Sequence, residues 1–250
     1  MEGLRQRLWL VLPPGRGPFP VLVWNHGAQV MLTPQGEVID RSTRPQIHGN
    51  AADQRRWAEQ LGCLLLIPEG RGYGGSEGPK LASVLHDAGA TLEYLAARAR
   101  DANAAARWVA GHPAADATRI AIAGASHGSV VALLAAAQQD YAGTAALATA
   151  VWPRRADIGV TELGLAAAWG HGPLLLQHML SDRSAPAEFS RMLFLAANSA
   201  GRPATLREYP GLASLDGHQV FAAANRQQWE GDFLAFIARC CRSPVAAAAV

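Results

Sequence analysis

The chain has 250 residues, half of them apolar and 17% charged, with a formal net charge of +2. A chain of this length buries roughly 70–75% of its unfolded surface, which excludes a disordered protein. Lys80 is the only lysine, and the arginines are scattered among the acids without a run of like charge. That excludes a nucleic-acid stripe and points to a small-molecule partner.

In chain order, apolar runs predict strands over 7–12 and 21–25, joined by the turn Pro13-Pro14-Gly15-Arg16-Gly17 as an antiparallel pair at a sheet edge. Residues 28–50 read as a long loop, followed by a helix over 51–61, a strand over 63–68 and a long helix over 87–110. A strand over 119–123, a helix over 127–139 and a strand over 144–150 come next. Residues 152–172 form a second long loop; after it come a strand over 173–178, a helix over 186–200, a strand over 204–209 and a helix over 226–241. The alternation is that of a mostly parallel sheet of about seven to eight strands with helices on both faces. It makes one domain over 1–242, with a frayed tail over 243–250.

Cys63, Cys240 and Cys241 cannot build a disulfide framework, and no Cys/His spacing suggests zinc. The run Leu8 to Leu12 is too short for a signal sequence, and no segment reaches the roughly 20 apolar residues of a membrane span. A cytoplasmic protein without metal or cofactor is expected.

Gly124-Ala125-Ser126-His127-Gly128 matches G-x-S-x-G, a strained turn that lifts a serine Oγ from the end of a strand. The same pattern recurs at Gly74-Gly75-Ser76-Glu77-Gly78, but there it has loop sequence on both sides. Ser126 follows the apolar run Ile120-Ala-Ile-Ala123 and precedes Val130-Val-Ala-Leu-Leu134, the strand and helix that the turn requires. Ser126 is therefore the expected nucleophile and Ser76 a structural residue.

A serine nucleophile needs a base held by an acid, and enzymes with this turn run Ser, then Asp or Glu, then His along the chain. Of His127, His171, His178 and His218, only His218 follows the last predicted strand, on a loop able to reach back to the serine. Asp182, just past the strand over 173–178, is the expected acid. Asp157 and Glu162 compete with it, whereas Asp216 suits a turn or cap. The oxyanion donors are expected from the amides of His127 and of Ala28, which follows Asn25-His26-Gly27. His26 reads as a loop brace. Met31, Leu32, Trp152 and Trp169, on the two long loops, are candidate pocket walls.

These stretches, with Pro68-Glu-Gly-Arg-Gly-Tyr-Gly-Gly-Ser76 and Asp216-Gly-His218, resemble the α/β-hydrolase superfamily, in particular its dienelactone-hydrolase-like and prolyl-oligopeptidase-like branches. Dienelactone hydrolases carry a cysteine where this chain has Ser126, so the resemblance implies ordinary ester chemistry. Prolyl oligopeptidases carry an N-terminal propeller, for which these residues leave no room. The expectation is a serine carboxylic-ester hydrolase for small or medium uncharged esters, acting through an acyl-enzyme. An amide or peptide hydrolase and a non-catalytic binding protein of the same fold are the alternatives.

Overall fold

The structure, a computed structural model, describes residues 3–28, 30–32, 38–42, 51–151 and 159–242, with the backbone alone at Met31, Leu32, Val38, Ala51 and Ala52. In chain order the elements are β1 (Leu8–Val11), β2 (Phe19–Asn25), β3 (Val30–Leu32), β4 (Val38–Asp40), α1 (Ala51–Leu61), β5 (Leu64–Pro68) and α2 (Ala88–Ala110). After them come β6 (Ala115–Ala125), α3 (His127–Ala136), β7 (Thr144–Leu147), α4 (Val160–Trp169), β8 (Leu174–Met179), α5 (Ala187–Ser199), β9 (Ala204–Tyr209) and α6 (Ala223–Cys240).

Seven strands form one sheet in the order β1-β5-β2-β6-β7-β8-β9, parallel except for β1. Strands buried on both faces must be apolar at every position, and Leu64-Leu-Leu-Ile67 of β5 shows the result. Side chains alternate across the sheet. Val21, Val23, Leu64, Leu66, Ile120 and Ile122 face α2 to α5, while Leu22, Trp24, Leu65, Ile67, Ala121 and Ala123 face α1 and α6. On the second face Trp24 meets Trp57 of α1 edge-on at 5.1 Å and Phe233 of α6 at 5.7 Å. No helix among the described residues is long and apolar enough to cross a membrane.

The structure departs from the sequence expectations in four places. β1 is antiparallel and at the edge, but its partner is β5 rather than β2, with Trp9 opposite Ile67. The interior of β2 is buried and takes parallel neighbours on both sides, so the half-buried β1 is left outside β5. Within 28–50, β3 and β4 form an antiparallel hairpin. Within 152–172, residues 160–169 are helical; Leu163, Ala166 and Ala167 are its buried stripe, at helical spacing, flanked by Gly159 and Gly170 as caps. β7 also ends at Leu147, three residues early, because Ala148 turns to φ 49°.

Candidate active site

The turn between β6 and α3 holds Ser126 at φ 55° and ψ −125°, a conformation that costs a non-glycine residue energy. Its surroundings impose it. The Ser126 amide donates to Leu147 O at 2.9 Å, and its carbonyl accepts from the Ser129 amide at 3.0 Å and the Ser129 hydroxyl at 2.6 Å. The flanking glycines permit close backbone contact: a Cβ on Gly128 would lie 2.0 Å from Asn25 O, and one on Gly124 would lie 2.2 Å from Gly128 O.

Ser126 Oγ stands 3.0 Å from His218 Nε2, and His218 Nδ1 stands 2.9 Å from Asp182 Oδ2. Asp182 Oδ1 accepts from the Ser184 and Ala185 amides at 2.8 and 2.7 Å, so the carboxylate, whose side chain is fully buried, cannot rotate away. An ionised carboxylate accepts only, so Nδ1 carries the ring proton and Nε2 offers its lone pair to the serine hydroxyl. Asp216 ties the loops that bear the two groups. Its Oδ1 accepts from the His218 amide at 3.0 Å and the Arg183 amide at 2.9 Å, as its expected turn role suggests. Gly217 completes the fit, since a Cβ there would lie 2.5 Å from the Asp182 amide nitrogen.

The loop after β2 passes beside the serine: a Cβ on Gly27 would lie 3.2 Å from Ser126 Cβ. His127 is the first residue of α3, where helix amides lack intrahelical acceptors. Neither its amide nor that of Ala28 donates to another described residue. His26 is a brace, as expected: Nδ1 donates to Gly27 O at 2.8 Å, and Nε2 accepts from the Gly70 amide at 2.9 Å. The His127 ring donates from Nε2 to Val151 O at 3.0 Å. Burial, then the charge of Arg98, lowers its pKa to about 4, so the ring is neutral at physiological pH.

Two groups here were given no role by the sequence, which set His178 aside as a base and did not mark Arg98. His178 lies buried beneath Asp182, its Nε2 3.7 Å from Asp182 Oδ2 and donating to Ala185 O at 2.9 Å, with its pKa lowered by burial. Arg98 of α2 lies behind the loop after β2. Both sit on buried faces, where the sequence pattern marks position but not chemistry.

The remaining candidates divide. Met31 and Leu32 lie on β3, directly after the Ala28 loop. Trp152 and Asp157 fall outside the described residues. Trp169 is 64% exposed at the far end of α4, which has run from the serine's side of the sheet back to the start of β8. It therefore lies at the opposite edge, because the expected loop is a helix. Glu162 is exposed in the first turn of α4. No group of three or more His, Cys, Asp or Glu among the described residues could hold a metal ion. A cavity of about 710 Å³ against α2, lined by Gln6, Arg71, Asp101 and Arg107 among others, includes none of the three relay residues.

Over residues 2–232 the sequence matches the family model of the X-Pro dipeptidyl-peptidase (S15 family). A search of curated proteins found no match. Among solved structures, a putative dienelactone hydrolase from Klebsiella pneumoniae is 18% identical with a TM-score of 0.66, covering 95% of each chain. Acetyl xylan esterase 1 from Thermoanaerobacterium is 16% identical with a TM-score of 0.67, over 97% of this chain and 81% of that one. Dipeptidyl peptidase 4 from Porphyromonas gingivalis is 18% identical with a TM-score of 0.63, over 93% of this chain. This chain spans 33% of that protein's length. These likenesses show an α/β-hydrolase fold.

Proposed function

The chain belongs to the X-Pro dipeptidyl-peptidase (S15) family of α/β-hydrolase-type hydrolases, and from that premise we propose that it is a serine hydrolase that cleaves small uncharged carboxylic esters through an acyl-enzyme. The observation that carries this reading is the continuous relay from Ser126 Oγ through His218 to Asp182, at 3.0 and 2.9 Å. As Ser126 Oγ bonds to the substrate carbonyl carbon, its proton passes to His218 Nε2 and the carbonyl electron pair moves to oxygen. The Ala28 and His127 amides face that oxyanion. Collapse of the intermediate breaks the bond to the leaving alkoxide, which takes the proton from Nε2. Water then attacks the acyl-enzyme with His218 again as base, and the acid leaves as Ser126 regains its proton. Asp182 holds the ring in place and steadies the imidazolium.

Ester cleavage is supported by the likeness to a putative dienelactone hydrolase and an acetyl xylan esterase, which runs over most of both chains. The family assignment favours a second reading, release of dipeptides ending in proline. Rates on p-nitrophenyl acetate and butyrate, set against alanyl-prolyl-p-nitroanilide, separate the two. The expected result is ester turnover at least about 100-fold above the anilide in kcat/KM, abolished by Ser126→Ala. A preference for the anilide replaces the ester reading with the peptide one; ester turnover that survives Ser126→Ala overturns the nucleophile.

A further inference from the structure

Arg98 lies midway along α2 with 2% of its surface exposed. Among the described residues its guanidinium has no carboxylate partner, and its Nε and Nη1 have no hydrogen-bond partner. Nη2 donates to His26 O at 3.0 Å, and the Tyr73 ring covers the group at 5.3 Å. Glu69, the buried acid that precedes Gly70, accepts from Trp9 Nε1 and the Gly75 amide at 2.9 Å each. The fold also makes room for the guanidinium, since a Cβ on Gly70 would lie 2.4 Å from Arg98 Nε. An arginine cannot shed its proton to escape burial, so a fixed positive charge is kept here without a counter-ion among the described residues.

That charge is placed where it can act. The carbonyl it holds is that of His26, in the loop His26-Gly27-Ala28 that passes against Ser126 and whose Ala28 amide the proposed mechanism assigns to the oxyanion. The buried ring of His127, the residue after Ser126, is held neutral by its burial and then by this same charge. A negative charge forms at this point only as the tetrahedral intermediate forms. A cation fixed beforehand in a water-poor site stabilises that state more than the neutral ester.

We propose that Arg98 is a positioning residue of the acyl-transfer site, holding the oxyanion loop through the His26 carbonyl and supplying the positive potential that the oxyanion meets. This rests on the hydrolytic reading of Ser126, His218 and Asp182. The charge is a requirement separate from the shape of the side chain, and substitution distinguishes the two.

The experiment compares Arg98→Met, which keeps length without charge, with Arg98→Lys, which keeps charge without the fork. Each is read by kcat and KM on the best p-nitrophenyl ester and by inhibition with butylboronic acid, which bonds to Ser126 as a tetrahedral anion. Arg98→Met is expected to lower kcat by on the order of 10- to 100-fold, leave KM within about twofold, and weaken the boronate by the same factor as kcat. Arg98→Lys is expected to recover most of the loss. An Arg98→Met kcat within about threefold of wild type overturns the proposal, as does an equal fall in both variants. Should Arg98→Met fail to fold, Arg98→Gln, which keeps a donor for His26 O, takes its place against Lys with the same expectation. A wild-type protein inert on every ester and anilide removes the hydrolytic reading and this inference with it. An active wild type indifferent to loss of the charge removes this inference alone.

Discussion

Asp182→Asn changes the relay by one atom, and the surrounding bonds dictate how the new side chain must sit. In the native chain Oδ1 accepts from the Ser184 and Ala185 amides at 2.8 and 2.7 Å. The asparagine oxygen takes that place, because the flipped rotamer would set its NH₂ group against two N–H donors and forfeit both bonds, at a cost of about 2–4 kcal/mol. The NH₂ group then faces His218 Nδ1, which stands 2.9 Å from Oδ2 in the native chain. His218 must accept there, so its proton moves to Nε2 and points at Ser126 Oγ, 3.0 Å away. The base is left with no lone pair for the serine proton. An inverted tautomer of this kind costs about 10⁴ in kcat in a serine protease, or about 5.5 kcal/mol at roughly 1.4 kcal/mol per decade. The assay is kcat and KM on p-nitrophenyl butyrate, with near-ultraviolet circular dichroism to show the fold intact. A loss below about 100-fold in a folded variant refutes the tautomer argument. Asp157→Asn is the comparator, and a comparable loss there would move the acid to position 157.

Three further predictions concern the frame around the relay. Gly128→Ala puts a Cβ 2.0 Å from Asn25 O, backbone that cannot swing aside. The expected cost is about 2–3 kcal/mol, seen as a drop of about 4–10 °C in thermal melting, with slowed labelling of Ser126 by a fluorophosphonate. His127 takes its proton in the folded chain only near pH 4, against about 6.5 when unfolded. The unfolded state thus binds the extra proton between those values. Stability is full above pH 6.5 and falls toward pH 4, by about 3 kcal/mol from this residue alone; urea midpoints at pH 7.5, 6 and 5 should decline, and His127→Gln should make the decline shallower. Arg202 donates to Gly172 O, Ala167 O and Thr144 Oγ1 at 2.9, 2.8 and 3.1 Å, closing the last turn of α4 at the edge of the sheet away from Ser126. Arg202→Met should cost about 3 kcal/mol in a melting experiment while leaving kcat unchanged.

How much of this could be read in advance depended on whether a residue's requirement is local. Ser126 was legible because a strand, a strained turn and a helix must follow one another without a gap, and the sequence on either side supplies both flanks. His218 and Asp182 were placed by chain order and strand ends, which topology constrains. The partner of β1 was not legible, because the turn after it fits a hairpin equally well. What decides is that the interior of β2 is buried between two parallel neighbours, a property of the assembled sheet. α4 was hidden by Gly159, Gly164 and Gly170, although Leu163, Ala166 and Ala167 carried its period. Arg98 and His178 show the deeper limit. Hydrophobic periodicity predicts that a helix or strand face is buried, but not that one position on it carries a charge or an imidazole pointed at a site formed by distant segments.

The second G-x-S-x-G match shows why the pattern by itself could not select the nucleophile. Ser76 is as tightly specified as Ser126: its hydroxyl donates to Glu69 O at 2.8 Å and accepts from the Arg7 amide at 3.0 Å, pinning the loop after β5 to the segment before β1. Its glycines are equally constrained, since a Cβ on Gly74, at φ 53°, would lie 2.1 Å from Glu69 Oε2. Both motifs therefore conserve space for close approach, but they spend it differently. At Gly74 the space admits a buried carboxylate that fastens a loop, and the hydroxyl is consumed within the backbone. At Gly124 and Gly128 it lets α3 close on β2, which leaves the Ser126 hydroxyl 3.0 Å from His218 Nε2. The Ser76 hydroxyl is taken up by the main chain of Arg7 and Glu69 whereas that of Ser126 meets an imidazole, and that difference in hydrogen bonding separates the two sites where the glycine spacing does not.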